Sequence, residues 1–242
     1  MDEDIPYLLL TPGPLTTSRT VKQAMLHDYC TWDNDYHKIV SDVRHRVCGL
    51  AGGGADYTTV LMQGSGTFAV EATVGSCIPA DGKLLVLDNG AYGRRIAQIA
   101  ERLRINHTAL TFSETDPVDA PRVERELTAD PQITHVALVH CETTTGLLNP
   151  AAEIGRLCRQ HDKIFMLDSM SSFGGIPLTM GEMNAHYLIS SSNKCVQGVP
   201  GFGFVIAHRP TFERTAGWAR SLSLDLYDQW QEMEEHHGKW RY

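Results

Sequence analysis

Two ionisable residues stand directly after apolar runs of the kind that form buried strands. Asp168 ends the run IFMLD, and Lys194 follows the run HYLIS after a short polar stretch. Small residues flank Lys194 on both sides and leave room for a bulky group over its amine. Taken singly, such a lysine is usually solvated and such an aspartate is usually a helix cap. Together they predict a site where an amine binds a carbonyl group covalently and a carboxylate keeps a ring nitrogen protonated.

An anion site is predicted at GSGT, residues 64–67, which follows an apolar run and opens a helical pattern. Free N–H groups at a helix start attract phosphate, glycines allow close approach, and Ser65 and Thr67 add hydroxyl donors. The same segment also fits the dinucleotide pattern G-x-G-x-x-A. Asp88 stands 22 residues after Gly66, where such folds place a ribose-binding carboxylate. A nicotinamide-dependent oxidoreductase that uses these glycines and Asp88 is therefore an alternative.

Two further strand ends offer side chains that could complete a site. Tyr92, in NGAYG at 89–93, could stack on a bound ring, or could only cover the start of a helix. Thr145, in HCETTTG at 140–146, could reach a hydroxyl group of that ring. A cysteine nucleophile assisted by its neighbouring histidine and glutamate is disfavoured there, because neighbours in an extended segment point to opposite faces.

Apolar runs alternate with amphipathic stretches, which is typical of a parallel sheet connected by helices. Strands are predicted at residues 57–62, 83–88, 105–111, 135–139, 164–168, 186–190 and 203–207. Helices are predicted at residues 35–50, 67–77, 91–102, 121–127, 151–161 and 209–220. The sequence thus predicts an α/β fold, a three-layer αβα sandwich with a mostly parallel seven-stranded sheet. In such sheets ligands bind at the carboxyl ends of the strands, where the residues named above stand.

The composition is that of a globular protein, with 42% hydrophobic and 21% charged residues among 242. The net charge of −8 is spread without a basic stripe, which argues against a nucleic-acid partner. No apolar run reaches membrane-spanning length, and the N-terminus does not fit a secretory signal. The six cysteines lack metal-ligand or disulfide spacing, so we expect reduced thiols, no metal site and a cytoplasmic location.

The motifs occur in an order that resembles the class V aminotransferases, enzymes of pyridoxal-phosphate (PLP) fold type I. The matching segments are GSGT at 64–67, NGAYG at 89–93, HCETTTG at 140–146, LDSMSSFGG at 167–175 and SSNKCVQGVPGFGF at 191–204. The arm LLLTPGPLTTS at 8–18, with the segments DSMSSFGGIP and NKCVQGVPGF, adds a narrower resemblance to members that move an amino group from 2-aminoethylphosphonate to pyruvate.

The resemblance implies a role for each motif in binding PLP. Lys194 and Asp168 would be catalytic, Lys194 by holding the cofactor covalently and carrying a proton, Asp168 by pairing with the pyridinium nitrogen. Residues 65–67 would hold the cofactor phosphate, Tyr92 would stack on the ring, and Thr145 would lie near the ring hydroxyl. The implied substrates are 2-aminoethylphosphonate and pyruvate, and the implied products are phosphonoacetaldehyde and alanine. The implied assembly is a homodimer.

The resemblance also predicts how the chain is divided. Residues 1–18 would be an N-terminal arm, residues 19–220 the PLP-binding large domain, and residues 221–242 the start of a connection to a small C-terminal domain. Relatives continue past Tyr242 into that domain, which supplies an arginine for the anionic group of the substrate. A threonine donated across the dimer to the phosphate would also follow. We therefore expect the 242-residue chain not to turn over substrate unaided.

Several alternatives stay open from the sequence. Trp32, Arg94 and Arg95 could contribute to substrate binding, although surface or helix-packing roles are expected for each. Exchange between alanine and glyoxylate, or between serine and pyruvate, is the nearest alternative activity, because only the substrate pocket differs within the family. A chain that keeps the fold but only binds cofactor, or only pairs with partner chains, is a further alternative.

Overall fold

Helices and strands alternate along most of the chain in the computed structural model, which describes residues 7–241. The strands are β1 (Tyr57–Gly64), β2 (Lys83–Asp88), β3 (Asn106–Thr111), β4 (Ile133–Val139), β5 (Cys141–Glu142), β6 (Leu147–Leu148), β7 (Ile164–Asp168), β8 (Tyr187–Ser191) and β9 (Gly201–His208). The helices are α1 (Arg19–Ala24), α2 (Asn34–Leu50), α3 (Gly66–Cys77), α4 (Ala91–Arg102), α5 (Ala120–Ala129), α6 (Ala151–Gln160), α7 (Met180–Met183), α8 (Arg209–Phe212) and α9 (Leu226–Glu235).

Seven of these strands form one sheet in the order β1-β9-β8-β7-β4-β2-β3. β9 is antiparallel to both of its neighbours, and the other neighbouring pairs are parallel. β1, β8, β7, β4 and β2 therefore all end at the same edge of the sheet. The predicted three-layer αβα sandwich with a mostly parallel seven-stranded sheet is confirmed.

Burial on both faces of the sheet explains the continuous apolar runs. In β2, Leu84, Leu85 and Val86 are all 0% exposed. Successive side chains of a strand point to opposite faces, so helices must cover both. α3 packs against β1, β8 and β9, α4 packs against β2 and β3, and α6 packs against β7. Each such buried aliphatic side chain contributes about 1.5–3 kcal/mol, which holds the strand ends at fixed positions.

The predicted helix at 209–220 is wrong in its second half. α8 ends at Phe212, and a single 3-10 turn at Glu213–Thr215 follows it. Ala216 is extended with ψ 122°, and Gly217 adopts φ +76°, so the backbone leaves the helical path. The other predicted strands and helices are present, with ends shifted by no more than two residues.

Both ends of the chain bear on the predicted division into arm and domains. Residues 1–6 of the predicted arm lie outside the described residues, and residues 7–18 form neither helix nor strand. α9 packs on β1 and α3, and its side chains Leu226, Trp230 and Met233 are at most 4% exposed. Residues 221–241 therefore share the core of the residues before them, and a boundary at 220 stays a prediction.

The length and composition of the helices bear on whether any of them could cross a membrane. Within the part of the chain from 7 to 241, none of the helices has both the length and the apolar character needed to cross a bilayer.

Candidate active site

A cavity of about 140 Å³ opens at the carboxyl edge of the sheet, beside the ends of β1, β7 and β8. It brings together Lys194, Asp168, Tyr92 and residues 65–67, which the sequence predicts from four separate strand ends. The lining residues are Ser65, Gly66, Thr67, Val70, Tyr92, Arg95, Ile96, Thr143, Asp168, Met170, Asn193 and Lys194. Thr145 is the predicted site residue that does not line this cavity.

One end of the cavity is the start of α3. Ser65 is the N-cap residue, and its side chain does not cap the helix with a hydrogen bond. The first N–H groups of a helix lack intrahelical acceptors, and the helix dipole adds partial positive charge there. Gly66 is closely covered, because a Cβ atom at this position would lie 2.3 Å from Met170 Sδ. The hydroxyls of Ser65 and Thr67 and these N–H groups together can hold a phosphate.

A buried carboxyl group also lines the cavity. Asp168 ends β7 and is 4% exposed, and its Oδ1 accepts a hydrogen bond from the Met170 N–H at 3.0 Å. Burial raises the pKa of the Asp168 carboxyl to about 6; the Met170 hydrogen bond opposes this shift, and Glu142 adds to it. A positively charged ring nitrogen beside Asp168 would compensate the cost of burying the carboxylate.

Replacing Asp168 with asparagine is expected to stabilise the cofactor-free protein at neutral pH. The raised pKa means that the fold favours the neutral carboxyl, so native stability falls as pH rises from about 4 to about 6. A shift of roughly two units corresponds to about 2–3 kcal/mol, and asparagine keeps an acceptor for the Met170 N–H. Chemical unfolding between pH 4 and pH 8 measures the difference. A gain that does not grow over this pH range would contradict the assigned pKa, and Asp116→Asn, at an exposed carboxylate, is the control.

Lys194 reaches the cavity from the loop that follows β8. Its Nζ donates a hydrogen bond to the Gly13 carbonyl oxygen at 3.0 Å. Gly13 has φ +133°, and a Cβ atom there would lie 2.4 Å from Lys194 Cδ, so only glycine allows this approach. The N-terminal segment therefore covers the lysine that the sequence predicts to be reactive.

Tyr92 lies in the first turn of α4, beside the cavity. The buried Glu142 carboxylate accepts a hydrogen bond from the Tyr92 N–H at 3.2 Å and so satisfies the start of the helix. The ring is half-buried, and the Arg95 guanidinium lies 4.7 Å from its centroid. The structure thus fixes the backbone of Tyr92, while stacking on a bound ring stays a prediction.

The threonine segment after β4 contributes a different residue from the expected one. Thr145 is exposed in the turn between β5 and β6, where its Oγ1 accepts from the Leu147 N–H at 3.3 Å. Thr143 lines the cavity and hydrogen-bonds to the Ser171 hydroxyl. Three successive threonines cannot be distinguished by spacing alone, because the turn that follows decides which of them faces inward.

The side chains of the alternative sites have structural partners. Asp88 is buried, and its Oδ1 accepts from the Gly90 N–H at 3.1 Å without lining the cavity. His140 Nδ1 pairs with the Ser172 hydroxyl at 2.9 Å, away from Cys141. Burial raises the pKa of the Cys141 thiol, which disfavours a thiolate nucleophile.

Sequence reasoning missed five residues that line the cavity: Val70, Ile96, Thr143, Met170 and Asn193. Arg95 was expected on the surface, yet it lines the cavity as well. The sequence could have indicated that Arg95 faces the cavity, because residues three apart on a helix share a face and Tyr92 lies three residues before Arg95. Arg94 pairs with Glu114 at 2.7 Å and not with the cavity.

A larger cavity of about 480 Å³ lies elsewhere, between α2, β1 and α9. It is lined by Arg44, Arg209 and Glu234 among others and includes neither Lys194 nor Asp168. If volume alone identified the active site, this larger cavity would be the candidate. The smaller one is the candidate site, because the amine, the buried carboxyl and the helix start converge there.

The groups around the smaller cavity fit PLP. An amine can bind its aldehyde, a buried carboxylate can pair with its ring nitrogen, and the start of α3 can hold its phosphate. At Gly13 the left-handed φ of +133° and the backbone oxygen of Asn193, 3.0 Å from an added Cβ atom, leave no room for a larger residue. Clusters of three or more side chains able to hold a metal ion are absent from residues 7–241.

The sequence and the fold of the chain are similar to those of known proteins. The family model Aminotransferase class-V matches residues 20–230. The chain also superposes on the crystal structure of pyridoxamine-pyruvate aminotransferase from Mesorhizobium loti with a TM-score of 0.87 and 22% identity, covering 99% of this chain and 60% of that one. At this identity the likeness shows the fold.

Two curated relatives are more similar in sequence. Over 237 residues the chain is 60% identical to a 2-aminoethylphosphonate–pyruvate transaminase of Syntrophobacter fumaroxidans, which covers 98% of this chain and 64% of the relative. It is 58% identical to the protein of the same name from Vibrio cholerae, covering 98% and 65%. The chain thus spans less than two thirds of the length of these relatives. With a family model that matches most of its residues, the chain belongs to the class V aminotransferase family.

Proposed function

We propose that the chain binds PLP in the cavity at the carboxyl edge and acts in moving the amino group of 2-aminoethylphosphonate to pyruvate. The products would be phosphonoacetaldehyde and alanine. Class V aminotransferases are PLP-dependent enzymes. The observation that carries the proposal is the meeting of Lys194, Asp168 and the start of α3 in one cavity, in a chain 60% identical to a relative of that name.

The cofactor phosphate would bind at the start of α3. Ser65 and Thr67 would donate from their hydroxyls, and the N–H groups of the first turn would donate along the helix axis. Gly66 would let the anion approach the backbone closely. These groups bind and orient, and they hold the cofactor ring toward Lys194.

Tyr92 and Asp168 would hold the cofactor ring. Asp168 would pair with the ring nitrogen and keep it protonated, which also relieves the cost of burying this carboxylate. The cofactor supplies an electron sink for the carbanion formed when the substrate carbon loses its proton. Thr143, which lines the cavity, would lie near the ring hydroxyl in place of the predicted Thr145.

Lys194 would act twice. Its Nζ would first hold the cofactor at the aldehyde carbon, giving up the hydrogen bond to the Gly13 carbonyl oxygen. Once the substrate amine has displaced it, the free Nζ would take the proton from the substrate carbon and return it on the cofactor side. The cover by Gly13 would keep water from this amine.

We also propose that the protein is a cytoplasmic homodimer with no nucleic-acid or membrane partner. Large apolar side chains are exposed near the N-terminus, among them Leu8 at 74%, Leu10 at 86% and Leu26 at 85%. Clustered exposed apolar residues favour a protein interface. The six cysteines are all free, which supports a reducing compartment, and the net charge of −8 opposes binding to nucleic acid.

A single-turnover experiment tests the proposed substrate. The 242-residue chain is not expected to sustain turnover unaided, so the test is one half-reaction at high substrate concentration. We expect PLP-loaded protein to be yellow, and 2-aminoethylphosphonate alone should discharge the colour slowly and release phosphonoacetaldehyde. Pyruvate should then restore the colour and yield alanine. Ethylphosphonate, which lacks the amine, is the matched control and should change nothing. Faster discharge by serine than by 2-aminoethylphosphonate would favour a serine–pyruvate activity instead, and colourless protein that binds NAD would reject the proposal.

A further inference from the structure

Arg95 bridges two helices at the phosphate-binding end of the cavity. It lies on α4, and its Nη1 donates a hydrogen bond to Thr67 Oγ1 at 3.2 Å. Its guanidinium also lies 4.7 Å from the centroid of the Tyr92 ring. The side chain therefore spans from the aromatic wall to the start of α3, and it is one of the residues that line the cavity.

Arg95 forms no close ion pair in the described part of the chain, although its charge acts on the Asp168 carboxyl and lowers the pKa of that group against the larger rise that burial causes. The adjacent Arg94 pairs with Glu114 at 2.7 Å and approaches Asp88 at 4.0 Å. Within residues 7–241 no comparable ion pair involves Arg95. A guanidinium carries five N–H donors, and the bond to the neutral Thr67 hydroxyl uses one of them. The two neighbouring arginines thus differ, because only Arg94 forms an ion pair.

The start of α3 leaves a charge deficit for a phosphate. A phosphate ester carries about −1.5 to −2 charges at neutral pH, whereas a helix start supplies about +0.5. Ser65 and Thr67 contribute neutral donors only. The Thr67 hydroxyl accepts from Arg95, so its own hydrogen is free to donate to an anion.

We propose that Arg95 is the cationic ligand of the cofactor phosphate and that it also orients the Thr67 hydroxyl toward this anion. The inference rests on the proposed binding of PLP in this cavity. Arginine suits the role because its planar fork matches phosphate oxygens. The bond to Thr67 favours the cofactor phosphate over the substrate phosphonate, since Thr67 belongs to the first turn of α3.

Comparing PLP with pyridoxal isolates the contribution of the phosphate. Cofactor-free wild-type protein and the Arg95→Gln variant are titrated with each compound, followed by absorbance. A charge-assisted hydrogen bond accounts for about 10- to 100-fold in affinity, so Arg95→Gln should weaken PLP binding by this factor. Pyridoxal binding should change by less than about twofold, since pyridoxal lacks the group that Arg95 would contact. The inhibition constant of inorganic phosphate, measured as a competitor of PLP, should be higher for the variant than for the wild type.

Two further variants sharpen the comparison. Arg94→Gln removes the neighbouring, already paired charge and should leave both affinities unchanged. Arg95→Lys keeps the charge without the fork and should restore part of the PLP affinity. Both positions are exposed, so circular dichroism should show unaltered folding.

The outcomes separate this inference from the proposed function. Equal losses for PLP and pyridoxal, or no loss for either, would overturn the role of Arg95 while PLP binding by the wild type stands. A loss confined to 2-aminoethylphosphonate would assign Arg95 to the substrate and would also overturn it. Wild-type protein that fails to bind PLP at all would reject the proposed function itself.

Discussion

Replacing Lys194 with alanine is expected to abolish the absorbance shift that PLP undergoes when it binds the wild-type protein, and to abolish amino transfer. The variant would lose both the proposed covalent anchor of the cofactor and the group proposed to carry the proton. Removing a nucleophile and general base from one site costs at least about 1000-fold in rate. Binding should persist through the phosphate and ring contacts, since these involve other residues. Absorbance on PLP addition and single-turnover rates with 2-aminoethylphosphonate measure the two effects.

Lys163→Ala is the matched control for this variant. Lys163 stands directly before β7, at the opposite edge of the sheet, and does not line the cavity. This variant should colour and react like the wild type. A Lys194→Ala protein that shows the same absorbance shift with PLP as the wild type would contradict the role given to this lysine.

Replacing Asp168 with asparagine is expected to slow the chemical step far more than it weakens cofactor binding. Without the carboxylate the ring nitrogen loses its proton, and the ring accepts carbanion electrons poorly. Losing one preorganised electrostatic contact of this kind costs about 100- to 1000-fold in rate. Single-turnover rates and ¹⁵N chemical shifts of labelled PLP measure the step and the protonation of the ring nitrogen. The same variant should be more stable without cofactor, so stability and reactivity change in opposite directions.

Asp88→Asn serves as the control, because Asp88 is a second buried carboxyl at the same sheet edge. Its Oδ1 serves the Gly90 N–H and not the cavity, so the variant should keep a protonated ring nitrogen and the wild-type rate. If Asp88→Asn slowed the reaction as much as Asp168→Asn, the chemistry would not depend on a specific partner of the ring nitrogen. A ring nitrogen that stays protonated in Asp168→Asn would exclude the pairing.

The sheet and the main site residues could be predicted from the sequence for a physical reason. Strands buried on both faces appear as short continuous apolar runs, and IFMLD and KLLVLD each contain four consecutive apolar residues. Parallel strands bring their carboxyl ends to one edge, so Asp168 and Lys194 are neighbours in space although 26 residues apart in sequence. Local pattern and long-range position agree at these places.

The rest depends on contacts that no local pattern encodes. Gly13 lies over Lys194 across 181 positions of sequence, and Met170 lies over Gly66. Arg94 and Arg95 extend in different directions from α4. Arg94 reaches Glu114 in the loop after β3, and Arg95 reaches Thr67 on α3. The helix predicted after His208 gives way to a 3-10 turn after Phe212, and the backbone leaves the helical path at Ala216 and Gly217. A glycine in the sequence does not show which conformation it adopts.

Covalent capture of PLP by Lys194 is the central claim, and borohydride reduction followed by peptide mapping tests it most directly. Wild-type protein is mixed with PLP, reduced, digested and examined by mass spectrometry. The expected result is a single pyridoxyl group, fixed on Lys194 in the peptide that contains SSNKCVQG. Modification spread over exposed lysines with Lys194 unlabelled would contradict the account.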